Sequence, residues 1–407
     1  MLCMAAGLCV IATACPDQNT PTDGNLGGVV ARLTSSVSAS VATSTSLSRD
    51  GNSVAIVSTD STIVGIDGNG GYPDVFLRDL AAGSWSRVSG GNGASFGPSV
   101  SAIGDVVAFT SKSTNLAGTD VNGDVEDVFV WQRSTAVVTR LTNGNGPSGQ
   151  AIVDGDGGLV AFESSATNLT PGIDNNGSMS DVFVWTRTTG QIERLTNGDG
   201  ESHVGAFAGD GSVVYLSSAA TDLTGVPDLD GHVDVYARTL ATHVTSRVTN
   251  GDGDSWPMST NATGLQVVVS SEATDLGPAD KNGSIADLFV FNGPTGPFTL
   301  VATGDAPVMS ASVSDDGRYV AFVTAASNIV ANDSNGLDDV FVRDRSVAKT
   351  TRIDGSDATV GLPSISADGG EVAFGSRAPN LAPPDSNDDP LSSTGDEGDV
   401  FTWTRSS

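Results

Sequence analysis

Cysteine is nearly absent from this sequence. The three that occur, Cys3, Cys9 and Cys15, all lie within residues 1–15. The rest of the chain can therefore build no disulfide framework and offers no thiol chemistry. Basic residues are scarce as well: 19 Lys and Arg face 48 Asp and Glu, a formal net charge of −29. That balance argues against DNA, RNA and anionic lipid surfaces as partners. Charged residues make up only 16%, against roughly 25% in an average domain, so the fold must be carried by turns and apolar runs. Helical spacing of apolar residues is missing, and the apolar runs are too short for helices. No Gly-x-Ser-x-Gly elbow, His-Glu-x-x-His or phosphate loop occurs, which removes the usual signatures of several hydrolase and nucleotide-binding classes.

What is present is glycine and a period. A turn doublet precedes a Val-Ala-Phe-like run seven times, at Asp50-Gly51, Ile103-Gly104, Asp156-Gly157, Asp210-Gly211, Thr263-Gly264, Asp316-Gly317 and Asp368-Gly369. The glycines are 53, 53, 54, 53, 53 and 52 residues apart by subtraction, which marks a repeat architecture. Each repeat holds four short Val-, Phe- and Thr-rich runs bounded by Gly, Asn and Asp. In the second they are 98–101, 106–109, 127–131 and 138–142, each of strand length. The middle runs are almost continuously apolar, as in sheets covered on both faces. Four strands per unit, stacked face to face around an axis, predict an all-β, seven-bladed β-propeller; the rival, a linear stack of β-coils, has shorter repeats. The seventh repeat lacks its fourth strand, and a strand of the missing type, Val30-Ala31-Arg32-Leu33-Thr34, stands near the start of the sequence. Arg32-Leu33-Thr34 is therefore expected to pair with 399–402, completing the last blade and removing two sheet edges.

The Asp-Gly turn, the Val-Ala-Phe strand, the Asp-Val-Phe-Val strand and the Arg-Leu-Thr strand resemble TolB-like propeller repeats over residues 29–407. The resemblance implies the propeller fold. It implies little about function, since the α/β domain that precedes the propeller in that family has no counterpart here, and the family's partners are not carried over.

Residues 1–15, MLCMAAGLCVIATAC, form an apolar run ending in small residues before Cys15. This is the length of a signal-peptide core and short for a membrane span. The end resembles a bacterial lipobox with Cys15 as the lipidated residue, although no basic residue precedes it. An ordinary cleaved signal is the alternative. Residues 16–28 are polar and rich in Pro and Gly, a tether, and 29–407 form one domain. The chain is thus expected to be an exported, lipid-anchored monomer of the bacterial cell envelope, touching the membrane only through its anchor.

The acid is not scattered. A long loop between the second and third strands carries Asp-x-Asn-Gly followed by a last Asp: Asp67/Asn69/Asp74, Asp120/Asn122/Asp127, Asp174/Asn176/Asp181 and Asp280/Asn282/Asp287. Two shorter copies are Asp228/Asp230/Asp234 and Asp333/Asn335/Asp339, and a divergent one carries Asp385 and Asn387. A further Asn or Asp lies upstream, as in Asn115, Asn168, Asp222, Asp275, Asn328 and Asn380. Oxygen ligands at this spacing suit Ca²⁺, and the loop resembles those of integrin-type propellers with one Asp missing. With no Lys or Arg expected beside them, the carboxylates would repel one another until a cation binds. The alternative is that Asn-Gly and Asp simply form local turns. Blade-to-blade loops such as 143–146, 197–200 and 250–253 are also rich in Asn, Asp and Gly, and they should leave from the same face of the disc.

Two functions from different classes fit these observations. One is a non-catalytic scaffold that binds an envelope protein or a glycan across the acidic face. The other is a carbohydrate-active enzyme, a lyase or glycosidase, with its site at the central channel. An enzyme should show a cluster of non-repeating His, Arg, Tyr or Glu at the channel mouth. The arginines that recur at Arg140, Arg194, Arg247 and Arg352 point instead to structure. Trp131, Trp185 and Trp403, at equivalent places after the third strand, are expected to pack between blades.

Overall fold

A computed structural model describes residues 27–34, 44–61, 63–65, 68–277, 281–293, 296–331, 333, 335–354, 361–377, 381 and 398–406. Cys15 and the segment before residue 27, Asp67, Asp280, Asn380 and the Asp385/Asn387 loop lie outside these residues. The described chain contains 28 strands and no helix. The strands form seven antiparallel sheets of four, the seven-bladed propeller that the period predicts. Blade 2 is representative, with strands Ser95–Val100, Val106–Ser111, Asp127–Gln132 and Val137–Arg140.

The second and third strands are buried on both faces because blades stack on both sides. Val106, Val107, Ala108, Phe109, Val128 and Phe129 are all fully buried. Within a blade the two phenylalanines stack, at centroid separations of 5.6 Å for Phe109–Phe129 and 5.4 Å for Phe322–Phe341. Each of the seven apolar clusters takes residues from two adjacent blades. One joins Ala55, Val57 and Leu77 of blade 1 to Val107, Phe109 and Trp131 of blade 2. Another joins Leu47, Ile56 and Phe76 of blade 1 to Ala373 and Val400 of blade 7, so the stack closes on itself. Trp131, Trp185 and Trp403 lie in these interfaces, as expected.

The ends of the chain share one sheet. Gly28–Arg32 pairs antiparallel with Asp399–Arg405, from Gly28 opposite Arg405 to Arg32 opposite Phe401. The Leu33 N–H donates to the Val400 carbonyl at 2.8 Å, and the Thr34 hydroxyl donates to the Asp399 carboxylate at 2.6 Å. A second closure runs through the turns that follow each first strand. Asp50 N–H donates to the Ala102 carbonyl (3.0 Å), Ala102 to Gly155 (2.9 Å), Gly155 to Gly209 (2.8 Å) and Asp210 to Ala262 (2.7 Å). The Asn261 side-chain amide reaches the Asp315 carbonyl at 3.2 Å. Asp315 N–H then donates to Ala367 (2.8 Å) and Ala367 to Arg49 (2.7 Å), which completes a circuit of all seven blades.

Deleting residues 28–34 uncovers one side of the third strand of blade 7 and removes Val30 and Leu33 from two blade interfaces. At about 1.5–3 kcal/mol for each large apolar side chain returned to water, the deletion should destabilise the domain by several kcal/mol. Urea unfolding of the truncated and intact chains reads the difference, and equal midpoints would refute the closure.

Candidate functional site at the acidic face and channel mouth

In blades 2 to 6 the upstream Asn or Asp of the acidic loop is a staple. The Asn115 side-chain oxygen accepts the Asn92 N–H at 2.8 Å, Asn168 accepts Asn145 at 2.9 Å, Asp222 accepts Asp199 at 2.9 Å, Asp275 accepts Asp252 at 3.1 Å and Asn328 accepts Asp305 at 3.1 Å. The blade-to-blade residue answers in kind: Asn145 accepts the Thr167 N–H at 2.9 Å, and Asp199 accepts both the N–H and the hydroxyl of Thr221. Bonds from the Thr221 hydroxyl and N–H hold the Asp199 carboxyl below the usual carboxylate range, and those from Thr274 do the same for Asp252. They also place the blade-to-blade loops and the acidic loops on one face, as the strand count requires. The second glycine of Asn-Gly-x-Gly is needed for close approach: a Cβ on Gly146 would stand 2.9 Å from the Ser165 backbone.

In blades 2, 3, 4 and 6 the first and last Asp of the loop meet on the arginine of the fourth strand; blade 5 has Leu300 in that place. The Arg140 Nη1 lies 2.8 Å from Asp120 and 2.5 Å from Asp127. Arg194 lies 3.2 and 3.5 Å from Asp174 and Asp181, and Arg352 lies 3.4 and 3.3 Å from Asp333 and Asp339. Arg247 is 3.0 Å from Asp228 and contacts Asp230 and Asp234 more closely. Arg87 reaches Asp74 at 3.5 Å and Arg32 reaches Asp399 at 3.4 Å. Four of these guanidiniums also lie over the third-strand Phe, at 5.0 Å for Arg140 on Phe129 and 5.5 Å for Arg32 on Phe401, a favourable cation–π geometry. The Thr of Arg-Leu-Thr completes the motif. The Thr142 hydroxyl donates to Asp127 at 3.0 Å and accepts the Val128 N–H at 2.9 Å. The loop Asn adds its amide: Asn122 donates to Asp127 at 3.3 Å and to the Gly144 carbonyl at 2.9 Å, and Asn282 donates to Asp287 at 2.9 Å. Asn69 does the same for Asp74 at 3.2 Å, Asn335 for Asp339 at 3.5 Å, and Asn176 donates to the Gly200 carbonyl at 3.1 Å. The expectation that the acid stands without basic neighbours is therefore not met in blades 2, 3, 4 and 6. In these four blades a guanidinium from another part of the repeat stands between the carboxylates.

Blade 4 departs from this pattern in having three carboxylates. Oxygens of Asp228, Asp230 and Asp234 lie within 4.8 Å of one another, and the Tyr236 hydroxyl donates to Asp228 at 2.9 Å. Among the described residues this group could hold a metal ion. The three histidines do not converge: His203 faces Glu163 at 2.8 Å, His232 faces Asp254 at 3.3 Å and His243 faces Glu193 at 2.9 Å.

Non-repeating residues do gather beside the channel mouth. A cleft of about 370 Å³ is lined by Phe96, Glu126, Gln150, Glu163 and His203. Glu163 stands where the other repeats have Val57, Thr110, Ser217, Ser270, Val323 and Gly375. Its carboxylate takes the His203 Nδ1, and this bond raises the imidazole pKa. Lys112 lies 3.3 Å from Glu126. Gln150 adopts a φ of 50° in a bulge of its strand, where blade 2 places Gly97 at 60°. That conformation costs a non-glycine residue on the order of 1 kcal/mol. Glu126, Gln150 and Glu163 are not singled out by motif; the signal that finds them is departure from the repeat.

The bore itself, about 340 Å³, is lined by the first strands and carries no titratable side chain in its wall. Five serines ring it. Ser46, Ser99, Ser259, Ser312 and Ser364 accept the main-chain N–H of the next blade's Val100, Val153, Val313, Ile365 and Leu47 at 3.0–3.3 Å.

No protein-family model and no curated protein matches the sequence. Solved structures do. The β-propeller domain of the trilobed protease from Pyrococcus furiosus aligns with TM-score 0.60 and 12% identity, over 90% of this chain and 93% of that one. It is described as having an open velcro topology, whereas here the first strand joins the last blade. Oligogalacturonate lyase from Vibrio parahaemolyticus aligns with TM-score 0.60 and 12% identity, over 92% and 93% of the two chains. A putative TolB from Agrobacterium tumefaciens aligns at TM-score 0.48 and 12% identity, over 82% and 98%, too loosely to carry an argument. At such identities the likeness is one of fold.

Burial pushes the Asp181 carboxyl up to about 6, and Asp234 and Asp339 rise for the same first reason. A carboxyl with a higher pKa folded than unfolded holds more protons in the folded state. Its contribution therefore improves as pH falls from about 6 towards the unfolded value near 4. Asp344 is the reverse: burial raises it, but Arg318 and Ser346 more than offset this and hold it at about 2. Its contribution is full above the unfolded value and is lost as pH falls through 2. Unfolding free energy measured in chelator should thus rise from pH 7 to about 5 and fall below about 4. A monotonic fall from pH 7 would contradict the burial of the last Asp.

Proposed function

We propose that this protein is a non-catalytic β-propeller of the bacterial cell envelope that binds a partner, protein or glycan, at the channel mouth on its acidic face. The observation that carries the reading is the contrast between wall and rim. The bore wall offers hydroxyls and no titratable group, which suits binding and leaves chemistry without an acid or base. The net charge of −29 and the rim carboxylates Glu126, Glu163 and Glu201 favour a neutral or cationic partner. The same charge disfavours polyanionic substrates such as oligogalacturonate.

Residues 1–15 support export, with lipidation at Cys15 as the anchor. Calcium is proposed at Asp228, Asp230 and Asp234, where three carboxylates against the Arg247 guanidinium leave two net negative charges. In blades 2, 3 and 6 two Asp face one arginine, so those loops are weaker candidates. One observation favours the enzyme reading. The Glu163–His203 pair fixes an imidazole by its Nδ1 beside the cleft, the arrangement of an oriented general base.

The full chain, made in a bacterial host, tests these points together. The mature mass should correspond to a diacylglyceryl-modified chain beginning at Cys15. Melting should occur a few degrees higher in millimolar calcium than in chelator, at matched ionic strength. Asp230→Asn should lose most of that shift; an equal melting temperature in both buffers refutes the cation. Envelope glycan fragments passed over the immobilised protein should be retarded without new reducing ends or unsaturated products. Products that vanish in Glu163→Gln would establish the enzyme instead.

A further inference from the structure

At one end the bore is crossed by a side chain. The turn circuit described above is built from small residues: Ala102, Gly155, Gly209, Ala262 and Ala367 occupy equivalent places in five blades. The two exceptions are Arg49 in blade 1 and Asp315 in blade 6, and they find each other. Arg49 also donates from Nη2 to the Thr260 carbonyl of blade 5 at 3.1 Å. On blade 4 a Cβ added to Gly209 would stand 2.9 Å from the Arg49 Nε, so the glycine makes room for the guanidinium. A side chain that starts on blade 1 and ends against blades 4, 5 and 6 spans the axis. It closes the bore at the level of the Asp-Gly turns, on the face opposite the acidic loops. Burial lowers the Arg49 pKa while Asp210 opposes that shift, in keeping with a guanidinium held among neighbours rather than in open solvent.

The serine ring lies three residues earlier on each first strand, roughly 10 Å nearer the acidic face at about 3.3 Å per residue. Each of its hydroxyls already accepts one backbone N–H, and this leaves the O–H free to donate into the bore. Ile152 and Ala206 take the equivalent places in blades 3 and 4 and make one sector of the wall apolar. A cavity of about 340 Å³ is at the small end of the range for ligand sites, about 300–1,000 Å³.

We infer that the bore is a single-ended pit that takes the terminus of an uncharged, hydroxyl-rich chain, the end of a glycan, inserted from the acidic face onto Arg49. This rests on the reading of the protein as a binding propeller and narrows it from protein or glycan to glycan. An anion must first pass the rim carboxylates, and a cation finds no free carboxylate in the wall. An apolar ligand leaves five O–H donors unmet, at a cost for each polar group buried without a partner. A hydroxyl-rich ligand both accepts from the serines and donates to their second lone pairs, and its apolar ring face suits Ile152 and Ala206. Because Arg49 bars the far end, such a chain enters end-on and does not thread through.

The test uses the full chain with cellotetraose, maltotetraose and tetra-N-acetylchitotetraose, and tetragalacturonate as the charged comparison. The readouts are saturation-transfer NMR and calorimetric titration. At least one neutral tetrasaccharide should bind, with transfer concentrated on one terminal sugar, and tetragalacturonate should give none. The Ser99→Ala, Ser312→Ala double variant copies the residue that blade 4 already carries at Ala206, and it should bind at least tenfold more weakly. If it does not fold, Ser99→Ala alone should weaken binding severalfold. Arg49→Ala should spread the transfer from the terminal sugar into the second. Binding that ignores the serine changes, transfer spread evenly along the chain in the wild type, or no binding by any neutral probe overturns the inference. Retention of envelope glycan fragments in those same cases would leave the binding-propeller reading standing.

Discussion

Each blade has two apolar faces and no helix or loop to cover either, so its only cover is another blade. Everything else in the molecule follows from that constraint. The seven interface clusters are of one kind because one kind of face meets the next, with Val, Ala and Phe of the second and third strands at zero or near-zero exposure. An incomplete ring would leave two such faces in water, which is why the last interface, between blades 7 and 1, matters as much as any other. The main-chain circuit through the turns and the serine contacts between first strands are the polar counterparts of the same requirement. Both join neighbours through groups that would otherwise be unsatisfied around the bore.

The fold was legible because a period of 52–54 residues repeats the same turn and the same strand types seven times. The missing fourth strand of the last repeat could be located for the same reason. The acidic loops were legible only in part. Asp127 and Arg140 are thirteen residues apart and Asp120 and Arg140 twenty. Each recurs at its own place, but nothing in a linear pattern says that one buried guanidinium joins both. Arg-Leu-Thr reads as a strand in sequence; in the folded blade its Arg and Thr hold a carboxylate while Leu141 packs at a blade interface. Arg49, Asp315 and Glu163 were invisible for the opposite reason. A repeat is recognised by what its copies have in common, and these residues are informative because their counterparts differ.

Electrostatically the protein divides its acid into two populations. The last Asp of each loop is buried and, in blades 2, 3, 4 and 7, tied to Thr and Arg, so it belongs to the architecture. Asp199, Asp252 and Asp305 stand exposed in the blade-to-blade loops, where hydroxyls and main-chain N–H groups keep them charged. The second population, together with the rim glutamates, contributes directly to what an approaching molecule feels. The net charge therefore overstates the field at any one point of the face, and the local exception in blade 4 gains importance accordingly.

The sheet shared by Gly28–Arg32 and Asp399–Arg405 also sets an order of events. The partner of the first strand, Asp399–Arg405, is made after the six blades that lie between them. Six blades can assemble from local contacts within about fifty residues of one another, yet the segment before them has to wait unpaired for nearly the whole length of the chain. Non-local pairing of this kind is slow to form, and an unpaired strand in the meantime is open to other partners. The domain cannot lock into its closed ring before its last blade is present, so closure follows the folding of the blades between and makes the ring a single cooperative event at the end.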